Sequence, residues 1–194
     1  EEIYATYLNP EDPMTWTEFR TLLSSLVTDE NGDGTPDDDV YGISHYEIET
    51  AVYSNNANFF TDDASEQRIT DPNFVEALQF IADLTLKDHV MVPAALQSEV
   101  DGFTRFLNSG CIFSFMGPWD CAQFWSYNIA FESNILPVPY NGENPDAMST
   151  AWVGSMGYCV SAKANSIQTA AAMRLAKYLC MNEDAQRTIY ELGQ

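Results

Sequence analysis

Phe103-Thr104-Arg105-Phe106-Leu107-Asn108-Ser109-Gly110-Cys111-Ile112-Phe113-Ser114-Phe115-Met116-Gly117-Pro118-Trp119 contains a helix, a strand and a turn in succession. Phe103, Phe106 and Leu107 fall at helical spacing in a segment expected to begin near Ser98, and Gly110 stops it. Cys111 to Phe115 then has the length and composition of an inner strand, and Gly117-Pro118 turns the chain into Trp119–Tyr127. A helix feeding a short, largely apolar strand points to a layered α/β architecture.

The pattern repeats upstream. Thr15-Trp16-Thr17-Glu18 reads as a capping box, and Phe19, Leu22, Leu23 and Leu26 place a helix over Trp16 to Val27. Val40 to Ser44 reads as a short buried strand, and a helix is expected from Tyr46 to Asn56. Asp71-Pro72 offers an N-cap and a first-turn proline to a helix striped by Phe74, Ala77, Leu78, Ile81 and Leu84. Downstream, Leu136-Pro137-Val138-Pro139 is extended and residues 140–150 form a polar loop, where a lobe boundary is expected, dividing 1–137 from 138–194. A strand over Val153–Ser161 and helices over Ile167–Cys180 and Glu183–Leu192 complete the reading.

The 194 residues, 45% hydrophobic, suffice for one substantial core or two modest ones. Eight basic against 29 acidic residues give a net charge of -21, which repels nucleic acid and anionic membrane surfaces. Cys111, Cys121, Cys159 and Cys180 lack C-x-x-C spacing and are expected to be free buried thiols, Cys159 and Cys180 packing near each other.

Asp29-Glu30-Asn31-Gly32-Asp33-Gly34-Thr35-Pro36-Asp37-Asp38 sets oxygen donors at loop positions 1, 3, 5 and 9 and glycine at 6. That spacing matches nine positions of a calcium loop, with Asp29, Asn31, Asp33, the Thr35 carbonyl and Asp37 as ligands. Position 12 is Val40, so Asp38 is the substitute for the missing bidentate carboxylate. A structural Ca2+ is expected there, against the alternative of a solvated Asn/Asp/Gly turn.

Two histidines, His45 and His89, and the absence of nucleophile-elbow, zinc-protease and phosphate-loop motifs argue against an enzyme; a glycan-active fragment is the enzymatic alternative. Open α/β sheets bind ligands beyond the carboxyl ends of their strands. Tyr46 and Trp119 follow two such ends and are expected to face one cleft, with Ser44, His45 or Asp120 bonding ligand hydroxyls. Trp16, Trp125 and Tyr178 are expected in the core. A third alternative, an interaction domain without a small ligand, is favoured if Tyr46 and Trp119 are buried.

Pro13-Met14-Thr15-Trp16-Thr17-Glu18-Phe19, the acidic loop, Phe103–Gly110, Gly117-Pro118-Trp119 and Val153-Gly154-Ser155, in that order, resemble extracellular solute-binding proteins of the maltose-binding type. The resemblance implies a two-lobed, periplasmic-binding-protein-like (type II) α/β fold, here mainly the second lobe plus the segment returning to the first. It implies a mono- or oligosaccharide, with a peptide or other small polar solute as the alternative, held between lobes for the permease of an ATP-binding-cassette importer, outside the cell and anchored through an upstream segment. It assigns sugar contacts to Tyr46 and Trp119, with Trp152 near the hinge. Measured against that family, most of the first lobe is absent, so truncation-driven self-association is a further expectation.

Overall fold

The computed structural model describes residues 11–127, 131–151, 153 and 157–192. Two short strands, β1 (Tyr41–Ile43) and β2 (Cys111–Phe113), pair in parallel with Tyr41 opposite Cys111 and Ile43 opposite Phe113. On the other edge of β1, Ile43 N–H donates to the Val90 carbonyl and Val92 N–H to the Ile43 carbonyl, both at 3.1 Å. Parallel neighbours need a crossover. Helices supply each one: α2 (Ile48–Tyr53) and α3 (Pro72–Leu86) lead to 90–92, then α4 (Ala94–Gln97) and α5 (Gly102–Leu107) lead to β2. All three residues of β1 are buried, as the short apolar reading requires.

Helix α1 (Trp16–Leu26) begins where its capping box places it: Glu18 N–H donates to Thr15 Oγ1 (3.2 Å) and Thr15 N–H to Glu18 Oε2 (2.8 Å). The two bonds satisfy amides that have no intrahelical partner. Its apolar stripe enters a core of Trp16, Phe19, Leu23, Ile43, Val52, Phe74, Phe80 and Leu84. Trp16 lies flat on Phe80, centroids 4.2 Å apart. Outside this core, Arg20 grips Asp88 with Nε and Nη2 at 2.6 and 2.7 Å. Tyr41, Val92 and Cys111 make a smaller cluster with Leu96 of α4 and Phe106 of α5.

Two helix starts differ from expectation in mechanism or place. Asp71 precedes α3, but its carboxylate takes Arg68 Nε at 2.6 Å instead of capping amides, so Pro72 alone marks the start. Helix α5 begins after Asp101, not near Ser98, because Asp101 accepts from Thr104 N (3.0 Å) and Thr104 Oγ1 (2.7 Å). These bonds hold the Asp101 carboxyl below its usual range. Beyond α5 the left-handed residue is Ser109, φ 60°, not Gly110.

The chain divides into two compact units, Glu1–Phe115 with Ile129–Trp152, and Met116–Asn128 with Val153–Gln194. The boundary expected at 137/138 lies elsewhere because residues 138–150 are fastened to the first unit. Asn55, fully buried, donates through Nδ2 to the Asn73 carbonyl and to Glu76 Oε2, both at 2.8 Å. Its Oδ1 accepts from Asn141 Nδ2 (2.8 Å) and Asn144 Nδ2 (3.0 Å). Asn141 Nδ2 also reaches Glu76 Oε2 at 3.0 Å, and Ser54 Oγ exchanges bonds with the backbone of Thr150. A polar network this buried holds only when its members are satisfied, and here the four side chains satisfy one another.

In the second unit a 3-10 turn (Pro118–Asp120) leads into α6 (Cys121–Ser126), and α7 (Ser166–Met181) packs on α8 (Glu183–Glu191). Asn165 caps α7 and Asn182 caps α8. Trp125 and Tyr178, expected in the core, are exposed. Of the strand expected over 153–161, residues 154–156 lie outside the described residues, and residues 157–161 form no strand. All four cysteines are free, but only Cys111 is buried, and Cys159 and Cys180 lie at the surface. Among the described residues no helix is long and apolar enough to cross a membrane.

Candidate functional site

The register of the parallel pair decides what meets at its carboxyl end. Ile43 opposes Phe113, so the next residues, Ser44 and Ser114, fall side by side with Oγ atoms 3.0 Å apart. Ser44 Oγ lies 3.0 Å from His45 Nδ1, and His45 Nε2 lies 3.2 Å from Glu47 Oε1. Gly102, opening α5, seals one side: a Cβ there would sit 2.7 Å from His45 Nδ1 and 2.8 Å from Ser44 Oγ. Four polar side chains thus line up within the first unit at the end where open α/β sheets hold their ligands.

Ser44 itself is 1% exposed, so it supports its neighbours and cannot touch a ligand directly, a correction to its expected role. His45, Ser114 and Glu47 reach the surface. The Ser44–His45–Glu47 order superficially suggests an activated serine, but an attacking hydroxyl must be accessible. This one is sealed beneath Gly102 and engaged by Ser114.

Tyr46 is also corrected. It is 5% exposed, ringed by Phe19, Phe80 and Phe115 with centroids at 6.3, 5.0 and 4.9 Å, and its hydroxyl donates to the Pro139 carbonyl at 3.2 Å. Burial drives its phenol pKa well above the usual value. The apolar ring completes the core between α1 and α3, and the phenol oxygen finds its partner inside the protein, so the side chain turns inward.

Trp119, in the second unit, is 60% exposed. Its six-membered ring overlies Gly117, where a Cβ would come within 2.2 Å of Cζ2, so only glycine lets the indole lie against the backbone. Asp120 accepts Gly117 N–H at 2.9 Å and so closes the turn that presents the ring. Trp152 lies outside the described residues.

The acidic loop is closed by its own groups. Asp29 accepts from Gly32 N (2.8 Å) and Gly34 N (2.9 Å), Asn31 from Asp33 N, Asp33 from Thr35 N, Asp37 from Glu30 N and Asp38 from Val40 N. Gly34 adopts φ 85°, the left-handed turn its loop position demands. Among the described residues no three Asp, Glu, His or Cys side chains are gathered as a metal site. The fit to calcium is therefore one of donor type and spacing, without preassembled geometry.

No model of a known protein family and no curated protein matches the sequence. Solved structures do. An ABC substrate-binding protein from Listeria monocytogenes in complex with cycloalternan is matched over 90% of this chain and 42% of its own, with 20% identity and a TM-score of 0.68. The maltose/maltodextrin-binding domain MalE from Bdellovibrio bacteriovorus, bound to maltotriose, is matched over 87% and 44%, with 20% identity and a TM-score of 0.66. The chain has the fold of ABC substrate-binding proteins. An ABC transporter solute-binding protein from Agrobacterium radiobacter in complex with ribitol agrees, at 94% and 45% coverage, 16% identity and a TM-score of 0.70. The expected α/β, periplasmic-binding-protein-like fold is thus found, and the chain spans less than half the length of the substrate-binding proteins it matches.

Sequence reasoning missed Glu47, Ser114 and Gly102. Ser114 was legible in principle, since two parallel strands with known ends imply which residues follow them side by side. The approach of Gly102 had no sequence signal.

Proposed function

We propose that this chain supplies a carbohydrate-binding wall of the substrate-binding component of an ABC importer, acting outside the cell or in a periplasm and delivering its ligand to a membrane permease. The observation that carries the proposal is the exposed Trp119 indole, held flat by Gly117, on a fold whose solved examples hold cycloalternan, maltotriose or ribitol. An exposed ring face stacks on the apolar face of a pyranose, and within the first unit, taken by itself, His45 and Ser114 offer polar groups to hydroxyls. The test is calorimetry with maltotriose, cycloalternan and ribitol, repeated on Trp119→Ala. Binding weakened roughly tenfold, the equivalent of one aromatic stacking contact of about 1.4 kcal/mol, supports the reading. Unchanged affinity removes Trp119 from the site, and no heat with any of the three refutes carbohydrate binding by this chain.

The same reading extends to calcium in the 29–38 loop, supported by oxygen donors at positions 1, 3, 5 and 9 and by the left-handed glycine at position 6. The ion would have to draw the carboxylates together, and Val40 stands where the bidentate ligand belongs, so the affinity belongs with the weak extracellular class, Kd about 10⁻⁴–10⁻³ M.

A further inference from the structure

We infer that Glu47 and His45 set the polarity of the Ser44–Ser114 hydroxyl pair, so that Ser114 faces the ligand as an acceptor and selects for a donating hydroxyl. The inference rests on the carbohydrate-binding reading above and concerns the first unit by itself, with Ser114 as a contact and Glu47 as a positioning residue.

For a neutral His45 imidazole, donor counting fixes the direction. A carboxylate only accepts, so across the 3.2 Å contact His45 Nε2 carries the proton toward Glu47. The other nitrogen of a neutral imidazole is then an acceptor, and Ser44, with one hydroxyl proton, spends it on His45 Nδ1 at 3.0 Å. Ser44 Oγ has lone pairs left, and Ser114 Oγ stands 3.0 Å away to fill one with its own proton. The competing acceptor for that proton, the Phe115 carbonyl, is at 3.4 Å. Every proton in the chain points from Ser114 toward Glu47. Ser114, the partly exposed end, is left with lone pairs alone, while Gly102 closes the flank over Ser44 and His45. A sugar hydroxyl has a proton to give there; a group that only accepts meets lone pair against lone pair, and an unmet buried acceptor weakens binding.

Two measurements test this on the full chain. Long-range 1H–15N spectra of the two imidazoles, with His45 assigned through a His89→Asn variant, read the tautomer without any ligand. Wild type is expected as the Nε2–H form, with that preference lost in Glu47→Ala. An Nδ1–H form, a doubly protonated ring, or a tautomer indifferent to Glu47 overturns the relay. Calorimetry with maltotriose then reads the contact: Ser114→Ala is expected to bind roughly 3- to 10-fold more weakly, the scale of one hydrogen bond, and Ser114→Thr, which keeps the hydroxyl, to restore affinity. Wild-type affinity in Ser114→Ala overturns the contact even if the tautomer is as expected. A wild-type chain that binds no sugar overturns the carbohydrate reading and Ser114's role with it, while the tautomer result still decides the relay.

Discussion

Replacing Asn55 should release residues 138–150 from the first unit, and the structure sets the size of the effect. The Asn55 amide makes four hydrogen bonds at 2.8–3.0 Å from a fully buried position. In Asn55→Ala, Asn141 Nδ2 keeps Glu76, Asn144 Nδ2 keeps the Asn55 carbonyl, Glu76 keeps Asn141, and the Asn73 carbonyl loses its side-chain donor but stays in the α3 ladder. The lost net bonds, at about 0.5–1.5 kcal/mol each, together give a cost of about 2–4 kcal/mol. Asn55→Asp keeps the volume but removes both donors and sets a carboxylate against Glu76, so it should be at least as damaging. The assay is native-state hydrogen exchange at the Asn141 amide, which donates to the Ser54 carbonyl and opens only when this fastening does. Protection should fall roughly 30- to 900-fold in both variants. A drop of less than about threefold in Asn55→Ala, or wild-type protection in Asn55→Asp, would refute the reasoning.

Further outcomes follow from other features. Calcium titrated by calorimetry into chelator-stripped protein should bind one-to-one with millimolar-range affinity and fail to bind after Asp33→Ala; no heat at about 10 mM leaves the loop a plain turn. Gly34→Ala should lower the urea midpoint by the equivalent of about 1–3 kcal/mol, since φ is 85° and a Cβ would lie 2.8 Å from His89 Nδ1. Burial pushes the Cys111 thiol from 9.0 to about 12. A thiol raised in the folded state keeps its proton longer than the unfolded chain does, so stability is full below pH about 9 and falls between 9 and 12, by up to about 1.4 kcal/mol per pH unit. Denaturant melts of wild type and Cys111→Ala should diverge over that window, and a thiol reagent at pH 8 should modify Cys121, Cys159 and Cys180 well before Cys111.

Local signals were legible in the sequence, and long-range ones were not. The Thr15–Glu18 box fixed the start of α1 because both partners lie within four residues. Asp71-Pro72 marked the start of α3, the 167–180 reading came within a residue of both ends of α7, and composition identified β1 and β2. Tyr46 failed because alternation past a strand end cannot say whether an aromatic ring turns toward solvent or toward Phe80, 34 positions later in the chain. The unit boundary failed for the same reason: Asn141 sits in a stretch with every composition mark of a linker, and its partners Asn55 and Glu76 are 86 and 65 residues away. For the candidate site, the strand ends led to His45 and Trp119 as candidates, and the side chains beside them depended on register.

The asparagine fastening also bears on how this protein is made. Asn55 and Glu76 leave the ribosome well before Asn141, so for that interval the nascent chain carries α1, both strands and α3 with a polar core still open. Domains generally fold as units, the N-terminal ones first during synthesis. This one must wait for its own late segment, and a nascent chain stalled before Asn141 is the natural client for a chaperone that shields unfinished cores.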